Sequence, residues 1–287
     1  MKSYFSLIKF AHTVFALPFA VLSFFLGMKL TGSFFDWRLL GLIILCMLFA
    51  RSAAMAFNRF VDRGYDAINA RTVLREIPAG VIKPSSAKWF VIIMSIAFIF
   101  TTYWINSLVF FLSPLALLVI LGYSYTKRFT WLCHFVLGLG LGLAPLGAYI
   151  SITGHFHLLP VLYGIMVMLW VSGFDIVYAL QDEEFDRENK LNSIPERFGK
   201  RAAKNISIVI HFICAGLLFY IAWYQSQVLP SLGFLHWIGA FGFAGLLFWQ
   251  HRLIKLNDLT KINQAFFETN GIASVLFGSA VIIDVLN

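Results

Sequence analysis

Long apolar runs recur along nearly the whole chain, separated by short polar breaks. A membrane-spanning helix needs about 20 mainly apolar residues, because each adds ~1.5 Å against a hydrocarbon core of ~30 Å. The pattern predicts nine such helices: Phe10–Leu30, Leu39–Phe57, Trp89–Trp104, Leu108–Tyr123, Cys133–Ile152, Leu158–Ile176, Ile206–Tyr224, Leu232–Gln250 and Phe266–Leu286. The third and fourth are short, and are expected to tilt little or partly re-enter. The last three residues of the ninth are its weakest part. The expected fold class is all-α, a polytopic membrane helical bundle of about nine transmembrane helices, forming a single domain over residues 1–287.

Composition agrees. The chain is 60% hydrophobic and only 13% charged, against about 45–50% and about 25% for a soluble domain. The first apolar run exceeds the usual signal-peptide core and no A-x-A-like cleavage site follows it, so it is expected to remain as helix one. Lys and Arg concentrate in alternate loops, which predicts a cytoplasmic N-terminus and an outer C-terminus. The net charge of +8 then reflects topology and inner-leaflet attraction, not nucleic-acid binding. Cys46, Cys133 and Cys214 fall in or beside apolar spans without metal-ligand spacing, and read as filler.

Two predicted inner loops are long and charged, about Asn58–Lys88 and about Gln181–Asn205. Each opens on an acidic cluster at the end of an apolar helix: Asn58-x-x-x-Asp62-x-x-x-Asp66, and Asp175-x-x-Tyr178-Ala179-x-Gln181-Asp182-x-x-x-Asp186. The aspartate pairs stand 120 residues apart, which suggests a diverged repeat with halves of roughly 1–130 and 131–287. Helical spacing places Asn58, Asp62 and Asp66 on one face, with Arg51 seven residues before them, and aligns Asp175, Tyr178, Asp182 and Asp186 likewise. Ionisable groups facing lipid would cost about 2.5–3.5 kcal/mol each, so these stripes must face the bundle interior or inner water.

Carboxylates one turn apart repel unless a cation sits between them. Hard oxygen ligands suit magnesium, which takes one or two carboxylates together with phosphates and waters. Arg71 and Arg75 follow Asp66, and Lys127 with Arg128 lies in another inner loop; Arg71, Arg75 and Lys127 above all would supply donors for a diphosphate. The blander reading makes them positive-inside charges, which suffices for Lys88, Lys204 and Lys255. Gly138, Gly140 and Gly142, ahead of Pro145 and Gly147, suit close helix packing, or room for a long apolar ligand. His12 suits an interhelical hydrogen bond or a cavity position. A transporter, with intramembrane acids relaying ions, is the competing class; its sites tend to lie at the bilayer midplane, not at helix ends.

These stretches resemble the UbiA superfamily of intramembrane aromatic prenyltransferases. The similarity runs through Asn58-Arg59-Phe60-Val61-Asp62-Arg63-Gly64-Tyr65-Asp66, Arg71-Thr72-x-x-Arg75-x-x-Pro78-x-Gly80, Tyr123-x-x-x-Lys127-Arg128 and the second acidic stretch. The resemblance implies a bundle around a central cavity and Mg2+-dependent transfer from a polyprenyl diphosphate to an aromatic acceptor. It implies a metal set of Asn58, Asp62, Asp66, Asp182 and Asp186, and diphosphate contacts from Asn58, Arg71, Arg75, Tyr123 and Lys127. Asp175 and Tyr178 would line the cavity near the reacting carbon or acceptor, with Asp62 and Asp182 also serving the chemistry. Arg59 is similar to the 4-hydroxybenzoate type. Glu76 departs from it, and Arg75-Glu76-Ile77-Pro78-Ala79-Gly80 is also similar to futalosine-pathway menaquinone-type members. Dihydroxynaphthoate, porphyrin and glycerol-lipid acceptors stay open.

Overall fold

The computed structural model describes residue 7 and residues 15–256, 258–260 and 262–287. Among these, nine long helices follow the nine apolar runs: α1 Leu17–Thr31, α2 Trp37–Val61, α3 Pro84–Tyr103, α4 Ser107–Thr126, α5 Cys133–Thr153, α6 Leu158–Tyr178, α7 Ile194–Val228, α8 Leu235–Leu253 and α9 Asn270–Leu286. Seven helical segments, those containing α2–α7 and α9, are long and apolar enough to cross a membrane. His12 and the start of the first predicted span lie outside the described residues.

Polar caps decide where the helices start. The Asp36 carboxylate accepts from the Arg38 and Leu39 amides at 2.8 and 3.1 Å, and Asn106 accepts from Val109 N at 2.9 Å. Pro84 opens α3, where its missing N–H costs nothing. The third and fourth spans are therefore 20 residues each, long enough to cross a membrane, and the expectation that they are short is corrected. Pro114 removes the donor for Phe110 O, and the Ser113 hydroxyl donates to that carbonyl at 2.8 Å instead. The seventh span starts twelve residues earlier than its apolar run, at Ile194, with Ser193 accepting from Glu196 N at 3.2 Å. Gly199, at φ 78°, bends α7 between its first turn, Ile194–Phe198, and the basic stretch Lys200–Lys204 that leads into its apolar remainder.

The helices pack in two groups that share α1 and α5. In the first, α1, α5, α6, α7, α8 and α9 form a closed ring. Phe19, Trp170, Phe243 and Phe277 fill its centre, with Trp170 and Phe243 centroids 5.3 Å apart. At the end away from the acidic motifs, Asp284 of α9 holds His236 at the start of α8 at 2.5 Å, and His236 Nε2 reaches Ser226 of α7 at 3.0 Å. In the second group, α2, α3 and α4 lean on α5 around an open volume.

The glycines of α5 divide their duties. A Cβ on Gly138 would sit 2.4 Å from Met168 O, and one on Gly142 would sit 2.5 Å from Gly164 O. These two let α5 and α6 touch backbone to backbone. Gly140 faces the open volume, with its nearest neighbour, Ile120, 3.9 Å from a notional Cβ. Close packing thus holds at Gly138 and Gly142, while Gly140 borders open space. Gly142→Val should therefore destabilise the bundle by roughly 1–3 kcal/mol through overpacking, seen as a lower melting temperature in detergent. Gly140→Ala should leave that temperature unchanged.

Candidate functional site

The site lies where α2 and α6 end. Helix α2 stops at Val61, and Asp62, at φ −88° and ψ 3°, joins it to the short helix Arg63–Ile68. The amide of Asp62 donates to Asn58 O at 2.9 Å and that of Asp66 to Asp62 O at 2.8 Å, so the four-residue spacing survives the break. After α6 a 3-10 turn over Ala179–Asp182 leads into the helix Glu183–Glu188. The continuous stripe expected from Asp175 to Asp186 is thus corrected: the tighter turn re-aims Asp182 and Asp186 relative to Asp175. Most of the second predicted loop is likewise helical.

Each of the four motif aspartates is paired with a different basic side chain. Asp62 meets Arg128 at 3.0 Å, Asp66 meets Arg75 at 2.6 Å, Asp182 meets Arg71 at 2.5 Å and Asp186 meets Lys127 at 2.8 Å. The Arg71 fork donates to both oxygens of Asp182, from Nε at 3.0 Å and from Nη2, while Nη1 reaches the Tyr178 hydroxyl at 3.2 Å. Sequence proximity placed Arg71 beside Asp66; in space it crosses to the second motif. That crossing joins the two clusters into one pocket. Asn58 Nδ2 donates to Asp62 Oδ2 at 2.8 Å.

The segment carrying Arg71 and Arg75 is ordered by successive turns, with amides at Thr72, Arg75 and Ala79 donating to carbonyls three or four residues back. Ile77 and Ile82 anchor it, buried beneath the ends of α2 and α3 with Ala56, Ala87 and Val91. Gly80, at φ 73°, turns it back toward Pro84.

Burial raises the Asp62 carboxyl above its ordinary value, against the pull of Arg128. At Arg71 burial works against the charge, but Asp182 outweighs it and the pKa rises. Lys127 behaves alike: burial works against its charge, and Asp186 and then Asp182 raise its pKa. Both cations thus stay charged because acids from the second motif face them.

Next to these charges opens an apolar cavity of about 450 Å³ between α2, α3, α4 and α5. Arg51 and Tyr123 line it, and Tyr123 stands one helical turn before Lys127, which pairs with Asp186, so the cavity adjoins the acidic cluster. Arg51 Nε is buried without a hydrogen-bond partner among the described residues. Asp175 faces His134, with Oδ2 and Nδ1 2.7 Å apart. Cys46 lines the cavity, whereas Cys133 and Cys214 are buried; all three are free thiols.

No group of three His, Cys, Asp or Glu stands ready to chelate a metal among the described residues. The carboxylates nevertheless suit a hard cation that arrives with phosphate oxygens, since Asp66 Oδ2 is buried with no hydrogen-bond partner among the described residues. Arg128, expected beside Lys127 as a donor, takes Asp62 as its partner. His134 carried no signal in the sequence, since it lies 41 residues from its carboxylate partner. Removing the Lys127 charge should leave the fully buried Asp186 side chain without its counter-ion. In a double-mutant cycle of Lys127→Met and Asp186→Asn, the coupling in melting free energy should exceed about 1 kcal/mol.

The model of the UbiA prenyltransferase family matches residues 17–272. A 4-hydroxybenzoate octaprenyltransferase of Aliivibrio fischeri is 29% identical over 84% of this chain and 82% of its own. The enzyme of the same name from Saccharophagus degradans is 29% identical over 84% and 79%. Among solved structures, a UbiA homolog from Aeropyrum pernix superposes with a TM-score of 0.82 at 28% identity, covering 95% of this chain and 98% of its own. A homolog from Archaeoglobus fulgidus, solved bound to GPP and Mg2+, gives a TM-score of 0.71 at 21% identity, covering 99% and 100%.

Proposed function

Because the chain belongs to the UbiA prenyltransferase family, we propose that this membrane polyprenyltransferase moves its polyprenyl group from the diphosphate to 4-hydroxybenzoate, in quinone biosynthesis. The observation that carries the proposal is the set of four aspartate–cation pairs beside an apolar cavity lined by Arg51, whose Nε has no hydrogen-bond partner among the described residues. The relatives named 4-hydroxybenzoate octaprenyltransferase support this acceptor. The archaeal neighbour that binds GPP and Mg2+ supports the donor and the metal. With the positive-inside pattern, the site faces the cytoplasm from the inner membrane.

On this reading Asn58, Asp62, Asp66, Asp182 and Asp186 hold the magnesium, which when bound supplies charge neutralisation at the diphosphate. Arg71, Arg75, Lys127 and Arg128 turn from the carboxylates onto phosphate oxygens, with Tyr123 and Tyr178 alongside. The cation-bearing forks stabilise negative charge as the allylic C–O bond breaks and its electron pair leaves with the diphosphate. The prenyl chain lies in the cavity, whose apolar lining excludes water from the cationic carbon. A ring carbon of the acceptor donates its electron pair to form the new C–C bond. Asp175 then takes the ring proton, restoring aromaticity.

Arg51 favours an anionic acceptor. A guanidinium inside an apolar cavity is costly without a counter-charge, and the carboxylate of an aromatic acid supplies one.

Asp62→Ala and Asp182→Ala should each reduce magnesium-dependent transfer of radiolabelled polyprenyl diphosphate by roughly 100-fold, at normal protein levels. Full activity in both variants would contradict the assignment. Arg51→Met should raise the KM for 4-hydroxybenzoate by roughly tenfold or more, the worth of a hydrogen bond to a charged group, and leave the KM for the diphosphate unchanged.

A further inference from the structure

His134 sits at the first turn of α5, almost fully buried, and both its ring nitrogens are engaged. Nδ1 lies 2.7 Å from Asp175 Oδ2, and Nε2 lies 3.3 Å from the backbone nitrogen of Ile194. A backbone N–H can only donate, so Nε2 must be the bare, accepting nitrogen. The ring proton is therefore on Nδ1, pointing at the carboxylate. A single tautomer, protonated on Nδ1 and bare on Nε2, satisfies both of these contacts.

Packing makes this contact possible. Gly142, Gly138 and His134 follow one another at four-residue intervals along the face of α5 that meets α6. Opposite them stand Gly164, then Met168 with Ser172, then Asp175. The backbone-to-backbone approach permitted by the two glycines carries on to the end of the helix pair, where the imidazole bridges it.

The Ile194 amide belongs to a strap of three residues, each tied to a different part of the site. Asn192 N donates to Lys127 O at 2.7 Å, and Ser193 Oγ donates to Asp186 Oδ2 at 2.8 Å. Ile194 N donates to His134. The strap thus connects the Lys127–Asp186 pair to the imidazole that holds Asp175.

We propose that His134 is a positioning residue for the prenyl-transfer reaction. Held in its Nδ1–H tautomer by the Asn192–Ile194 strap, it fixes Asp175 through Oδ2 and leaves Oδ1 to the acceptor. The proposal rests on the role given to Asp175 above. It assigns His134 no proton transfer and no substrate contact. Its effect is to hold one rotamer of the carboxylate, correctly aimed, while the strap registers that aim against the diphosphate end of the site.

Two substitutions separate the halves of this device. An Asn side chain reaches the place of Nδ1 and retains a donor for Asp175; a Gln side chain reaches the place of Nε2 and retains an acceptor for the Ile194 amide. His134→Asn should keep kcat within about threefold of the parent enzyme, whereas His134→Gln and His134→Leu should lower it roughly tenfold or more. The KM for the prenyl diphosphate should stay within about twofold throughout. A loss in His134→Asn as deep as in His134→Leu, or no loss in His134→Gln and His134→Leu, overturns the proposal. A second readout stands apart from activity: 15N spectra of histidine-labelled protein, with the His134 signals assigned by their disappearance in His134→Asn. Protonated Nδ1 with bare Nε2 is expected. Protonated Nε2 overturns the proposal even in a fully active enzyme. If no aromatic acid is prenylated by the parent enzyme, the functional reading fails, and the tautomer still decides whether His134 holds Asp175 as described.

Discussion

Charge cannot be left alone at the mouth of an apolar bundle. Each ionised side chain withdrawn from water must find a counter-charge or a set of hydrogen bonds, or it neutralises. Here four carboxylates meet that demand by taking one cation apiece. The cations come from two connecting segments: Arg71 and Arg75 between α2 and α3, and Lys127 and Arg128 after α4. The pairing folds those segments inward over the helix ends. Arg71, by reaching across to Asp182, closes the two acidic motifs onto a common space. On the proposed reading the same pairs form the resting state of the site: each cation would exchange its carboxylate for a phosphate oxygen, and the freed carboxylates would hold the metal.

The rest of the fold keeps that space both rigid and accessible. Six helices around Phe19, Trp170, Phe243 and Phe277 give a core with its centre filled by rings. The other three lean on α5 around the cavity. Helix α5 serves both sides, and its glycines follow suit, with Gly138 and Gly142 closing on α6 while Gly140 opens to the cavity. A chain that must admit a long apolar substrate cannot pack every helix equally. The compact ring lets α2, α3 and α4 stand apart.

Much of this was legible in the sequence because lipid imposes a length and a polarity on every span. Among the described residues each of the nine apolar runs carries a helix, and the acidic spacing led to one end of the bundle. Helix ends were less legible. The basic start of α7 is helical but polar, so an apolar criterion placed its beginning at Ile206 when the Ser193 cap begins it at Ile194. The order of the Asn69–Ile82 segment depends on Ile77 and Ile82 finding a niche under α2 and α3, which no local pattern announces. Partner choice was the least legible. Arg71 stands five residues from Asp66 in sequence and pairs with Asp182 instead. His134 and Asp175 meet only because two glycines bring α5 and α6 together. Asp284, in an otherwise apolar span, gave no sign that His236 would receive it.

The exchange of partners is the central claim, and a structure of the protein with magnesium and a non-reactive prenyl thiodiphosphate tests it most directly. The account predicts the thiodiphosphate between the two acidic motifs, with Arg71 and Lys127 on its phosphate oxygens, the carboxylates of both motifs on the metal, and the isoprenoid chain in the cavity lined by Arg51 and Tyr123. A ligand bound elsewhere, with the Arg71–Asp182 and Lys127–Asp186 pairs intact, would contradict it.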